Sequence, residues 1–222
     1  MRGTAGSFRR LMWMVPLVVV AGYLWPRHPR DAGEAAAQGA RVDRDRLLRG
    51  RSLVLEHGCG DCHGGGDNPA APGFLDGMRD TLFQQFVLPA SLGGFRTRVR
   101  NLTPDNETGL GRFSERQIFN ALRFGLRPGE TPDVEITSRT PGQGNFPQSP
   151  KYLAPPMPWT AFRHMPDQDI RDIAYYLKNG LKPSSNRVPD SEGPPDFWAG
   201  VYAQFAGPYP PPAFPTANEK AP

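Results

Sequence analysis

The chain has 222 residues, 26 of them proline and 25 glycine, with a mean hydropathy of −0.52, which leaves room for one modest core and much loop. Its net charge of +4 comes from the first thirty residues, which hold five arginines and no acid; from residue 31 onward, 21 basic side chains face 22 acidic ones. A body without basic excess has no electrostatic footprint for nucleic acid, and that class of partner is excluded.

Residues 1–10 carry Arg2, Arg9 and Arg10 and precede an uncharged, mostly apolar run at 11–25, "LMWMVPLVVVAGYLW". Fifteen helical residues reach about 22 Å against about 30 Å of hydrocarbon, which suits a signal-peptide core or a short anchor that snorkels its flanks. No small residues for cleavage follow directly; the first Ala-x-Ala pattern, Ala35 to Ala37, lies beyond two arginines, an aspartate and a glutamate. The run is therefore read as a membrane anchor, with a soluble periplasmic protein after cleavage as the alternative. The preceding arginines hold the N-terminus inside and send the rest of the chain to the outer, periplasmic side.

Residues 26–42, with "AGEAAAQGARV", read as a small-residue linker. From about Asp43 the spacing of Leu47, Leu48, Val54 and Leu55 predicts a helix running into "EHGCGDCHGG". Both cysteines of the chain lie there, as Cys59 and Cys62, followed at once by His63. Zinc needs four ligands, and the other histidines, His28, His57 and His164, have no cysteine or acidic cluster around them. A thioredoxin-like pair should follow a buried strand, whereas a helix is expected upstream and glycines downstream. Attachment of a c-type haem fits: two thiols in Cys-x-x-Cys-His add to the haem vinyls, and the histidine binds iron. One motif predicts one covalent haem c, with a surface disulfide as the structural alternative.

Further on, "FSERQIFNALRFG" predicts a helix opened by a Ser114–Gln117 capping box, with Ile118 and Leu122 on one face and Gly125 as its stop. "MPDQDIRDIAYYLKNG" predicts the last helix: Pro166 in its first turn, Asp167 and Asp169 at its positive end, and Ile170, Ile173, Ala174 and Leu177 as its core stripe. No stretch alternates as a strand and no long repeat is present. The fold class is all-α, with the domain over residues 43–182. The tail, 183–222, is rich in proline and aromatics. Phe197, Val201 and Phe205 share one face of a short helix there, read as wrapping the body in preference to docking on a partner.

The haem motif after an N-terminal helix, then "NLTPDNETGLGRFS", a short helix and "APPMPWTAFRHMPDQDIRDIAYYL", together resemble class I monohaem cytochromes c over roughly residues 44–180. The likeness is strongest to the cytochrome subunits that accompany bacterial alcohol, aldehyde and sugar-acid dehydrogenases. It implies a small set of helices around the haem, the first and last crossing closely at Gly50 and Tyr176. It implies also that the Pro72 carbonyl serves the second ring nitrogen of His63, and that Asn101, Leu102, Thr103 and Phe113 line the haem or its propionates. Arg123 is read as an exposed helical arginine, with a propionate partner as the alternative. Two features depart from the family: a longer segment at 127–151, and the proline-rich tail.

The second iron ligand is sought among Met78, Met157, Met165, His57 and His164. Met157 lies in "PPMPW", where Pro155, Pro156 and Pro158 favour a fixed, extended backbone. It matches the methionine of the family's Met-Pro motif, and a thioether there raises the reduction potential. A methionine beside Trp159 that only packs is the alternative. His57 lies too near the attachment site to cross the ring. No catalytic residue is assigned. The function expected is single-electron transfer by a haem held by His63 and Met157, as carrier or subunit of a respiratory or dehydrogenase complex with a redox partner protein. A haem enzyme or sensor with an open sixth position, and a structural subunit of a larger membrane complex, are the alternatives.

Overall fold

Ser114 opens the helix that organises the core. Its hydroxyl accepts from the Gln117 N–H at 3.1 Å, and the Gln117 side chain accepts from the Ser114 N–H at 3.1 Å, so the expected capping box is formed. This helix, α3, runs Glu115–Phe124 and ends at Gly125, whose N–H still reaches the Ala121 carbonyl at 2.9 Å and whose left-handed φ of 71° turns the chain out of the helix. In the computed structural model the described residues are 29–78, 85–87, 96–154, 157–189, 213 and 215–220. The other helices are α1, Pro29–Glu56; α2, Cys59–His63; α4, Trp159–Phe162; and α5, Asp167–Asn179. Among the described residues the regular structure is almost all helical, as expected. One antiparallel pair, β1 at Gln85–Val87 and β2 at Arg96–Arg98, corrects the expectation of no strand. Three residues per strand are too few for alternation to declare itself.

The chain divides into two units, Met1–Gln38 and Gly39–Pro222. Of the first, the described part is helical from Pro29 to Gln38, so residues read as a linker belong to α1. Ala35, Ala36, Ala37 and Gln38 are strong helix formers, and a proline suits the first helical position. The second unit holds the core. Ile170, Ile173, Ala174 and Leu177 of α5 are buried as their spacing predicted, each large side chain contributing roughly 1.5–3 kcal/mol. Gly50 of α1 meets α5 at the expected place: a Cβ there would overlap the Asp172 carbonyl and lie 2.7 Å from the Tyr176 Cβ. Arg46 bridges Asp172 at 3.2 Å and Glu115 at 3.3 Å, tying α1 to α5 and α3.

The segment 127–151 is not a free flap. Ile136 and Phe146 are buried, Phe146 packs edge-on to Phe124 at 6.0 Å, and Asn120 donates to the Val134 carbonyl at 3.0 Å. It therefore covers the Asn120 and Phe124 side of α3, while Arg123 is buried against residues 163–167 and Phe119 lies under Arg171, so that α3 is buried on more than the Ile118–Leu122 face. The apolar run 11–25, Pro155, Pro156, and the tail residues Phe197, Val201 and Phe205 lie outside the described residues. Among the described residues no helix is long and apolar enough to cross a membrane.

Candidate functional site

α1 ends where the His57 and Gly58 N–H groups donate to the Leu53 and Leu55 carbonyls, both at 3.0 Å, and α2 restarts at once from Gly58. A spacing of three on this helix puts the two thiols on one side. Cys59 is half-buried and rests on the core; Cys62 is exposed; both are free. Burial pushes the Cys59 thiol up to about 11, so it stays protonated until it reacts.

His63 follows on the same turn. Its Nδ1 lies 2.7 Å from the Arg100 carbonyl. A carbonyl only accepts, so Nδ1 carries the hydrogen and Nε2 keeps the lone pair a metal needs. Burial lowers the imidazole below its ordinary range, against the opposing pull of the Arg100 carbonyl, and favours the neutral, ligating form. This corrects the expectation for Pro72, which is exposed, while Arg100 takes the place assigned to it. The chain reaches Arg100 from the β1–β2 pair, a long-range return with no local signal in the sequence.

The loop beyond His63 is held by its own backbone. Gly77 donates to the His63 carbonyl at 2.9 Å, Leu75 to the Gly64 carbonyl at 2.9 Å, and Leu102 to the Leu75 carbonyl at 2.8 Å. Asn101 and Thr103, each 2% exposed, tie Ser184 and Thr108 together beside this loop. The Asn101 side chain accepts from the Thr103 N–H and hydroxyl, both at 2.8 Å, and donates to the Ser184 carbonyl at 2.7 Å and the Thr108 hydroxyl at 3.0 Å. Asn186 donates to the carbonyls of Asp76 and Gly77 at 2.7 and 3.1 Å. The first residues of the tail are thus built into the His63 side of the body. Leu102 and Phe113 rest half-buried on the core, as Cys59 and Met157 do.

Met157 is half-buried. Its N–H donates to the Ala154 carbonyl at 3.2 Å, and its carbonyl accepts from Trp159 at 2.9 Å. Trp159, 2% exposed, stacks on Tyr152 with centroids 5.9 Å apart, and a Cβ on Gly125 would overlap its indole. Of the other candidates, Met165 also rests on the core and His164 is exposed. His57 is tied to the Leu53 carbonyl at 2.8 Å and stands edge-on to Phe162 at 5.5 Å. Met78 directly follows Gly77 on the His63 side and lines a cavity of about 410 Å³ with residues 185–189. Arg123 is neither exposed nor held for a propionate. It is 4% exposed and donates to the Arg163 carbonyl, the Asp167 carboxylate and, at 2.7 Å, the Met165 carbonyl. A lone arginine on a helix pattern does not reveal that two backbone carbonyls await it.

Two free thiols on one face of a helix, an imidazole with only Nε2 to spare, and a thioether on the same core form a donor set that fits haem c. Comparisons with known proteins agree. The chain is 23% identical over 184 residues to the fructose dehydrogenase cytochrome subunit of Gluconobacter japonicus, covering 83% of this chain and 30% of that one. It is 26% identical over 178 residues to a diheme cytochrome c-type protein of Cereibacter sphaeroides, covering 79% and 49%. The chain is similar to bacterial cytochrome c subunits. A third relative, the cytochrome c subunit of alcohol dehydrogenase (quinone) from Gluconobacter oxydans, is 30% identical over 97 residues, 42% of this chain and 16% of its own. The chain thus spans half or less of the length of these cytochrome relatives. No family model matches it.

Proposed function

We propose that the protein transfers single electrons through one haem c, bound covalently by Cys59 and Cys62 and ligated by His63 and Met157, in a class I cytochrome c fold. The observation that carries the reading is the His63 imidazole fixed through Nδ1 by Arg100, one residue after a pair of free thiols. When bound, the haem supplies a one-electron couple whose potential a thioether raises. The chain's residues do the rest: His63 is oriented by the Arg100 carbonyl, Met157 is backed by Trp159 and Tyr152, and the core around α3 and α5 keeps water away.

Two of the three named relatives are cytochrome subunits of dehydrogenases, which supports a redox partner and favours a dehydrogenase as electron donor. The arginine-flanked apolar run at 11–25 supports placement on the periplasmic side of the bacterial inner membrane, anchored there. The test is Met157→Ala. Loss of thioether donation should lower the reduction potential and let the reduced protein bind carbon monoxide, both followed by absorption during redox titration. Unchanged potential and spectrum in Met157→Ala would refute the ligand assignment.

A further inference from the structure

Residues 123–127, "RFGLR", hold the methionine segment on both of its flanks. Downstream of Met157, Arg123 donates to the carbonyls of Arg163 and Met165 and pairs with Asp167. Upstream, Arg127 donates through Nε to the Tyr152 carbonyl at 2.8 Å, and its own N–H reaches the Lys151 carbonyl at 2.8 Å. Between them the Gly125 carbonyl accepts from Leu153 at 2.6 Å, and Leu126 bridges Tyr152. From the downstream anchor a backbone chain leads back to the methionine: Arg163 donates to the Trp159 carbonyl at 2.9 Å and Trp159 to the Met157 carbonyl at 2.9 Å.

We propose that Arg123 and Arg127 are positioning residues that set where the Met157 thioether stands, an inference that rests on Met157 being the axial ligand. Both guanidinium groups bind main-chain oxygens, so they fix the path of the backbone on either side of the ligand. Arg123 does so with several donors of one planar fork, which a lysine ammonium cannot reproduce. A buried charge of this kind adds little net stability over an apolar residue of the same volume, so its effect lies in the geometry it enforces. The aromatic pair beneath then has one seat: Trp159 lies against Gly125, the middle residue of the bracket.

The experiment uses the full, haem-loaded chain with Arg123→Gln, Arg127→Gln and, as comparator, Arg46→Gln, which breaks the α1 bridges to Glu115 and Asp172 away from the methionine segment. The readouts are the weak far-red absorption of a thioether on ferric iron, the rate of cyanide binding, and the thermal midpoint. Arg123→Gln and Arg127→Gln should weaken the absorption and speed cyanide entry about tenfold, the factor expected from one lost charge-assisted hydrogen bond. Arg123→Lys should not rescue. Arg46→Gln should lower the midpoint and leave both other readouts at wild-type values. Should Arg123→Gln fail to load haem, Arg127→Gln decides by the same readouts, its side chain being partly exposed. If both arginine variants lower the midpoint as Arg46→Gln does and leave absorption and cyanide rate unchanged, the positioning role is overturned. Met157→Ala run in parallel separates the two claims: an intact far-red absorption there sinks the ligand assignment and the inference resting on it.

Discussion

The two sides of the candidate haem site are built differently. On the His63 side, α2 and the glycine-laced loop to Gly77 are held by backbone hydrogen bonds and by the Ser184 and Asn186 side chains, and much of their surface is open. On the Met157 side, the segment 152–167 is gripped by buried side chains: Tyr152, Trp159 and Arg123 are each less than 10% exposed. The difference follows from the bonds each side is asked to hold. Two thioether links fasten the proposed haem to the His63 side whatever the loop does. A thioether on iron, as proposed for Met157, would have only the surrounding packing to keep it in place, and buried side chains are concentrated there.

Trp159→Ala attacks the packed side and should have the largest effect. Removing a fully buried indole typically costs about 3–5 kcal/mol, which urea unfolding of the haem-loaded protein would measure. A loss under 1 kcal/mol would mean that the Tyr152–Trp159 stack is not what holds the segment. Asn101→Ala attacks the hydrogen-bonded side. It leaves the Thr103 N–H and the Ser184 carbonyl without that partner, and should cost about 1–3 kcal/mol with the visible spectrum retained. A changed spectrum with undiminished stability would assign Asn101 to the haem itself and weaken the contrast. Ser114→Ala touches neither side. Loss of the α3 cap should lower stability by about 1 kcal/mol and alter neither spectrum nor haem content.

What could be read in the sequence follows the same division. Cys59, Cys62 and His63 lie in five consecutive residues, and the Ser114–Gln117 box, the Gly125 stop and the α5 stripe are all local patterns, so each was legible. The Gly50–Tyr176 crossing came from family likeness, and the fold bears it out. The Arg100 carbonyl, the Arg123 clamp and the covering of α3 by residues 127–151 depend on chain segments distant in sequence. A backbone carbonyl has no side-chain identity to recognise: the Pro72 carbonyl came from family likeness, and nothing in the sequence points to Arg100. The helical residues 29–42 were missed because a run of small side chains carries no apolar period, even though its propensity is high.

Covalent haem attachment is tested by the intact mass of the purified protein under denaturing conditions, followed by peptide mapping. One haem should stay on the chain after unfolding and map to the peptide bearing Cys59 and Cys62, with neither thiol open to alkylation. A chain that sheds all haem on unfolding and leaves both thiols free to react would contradict it.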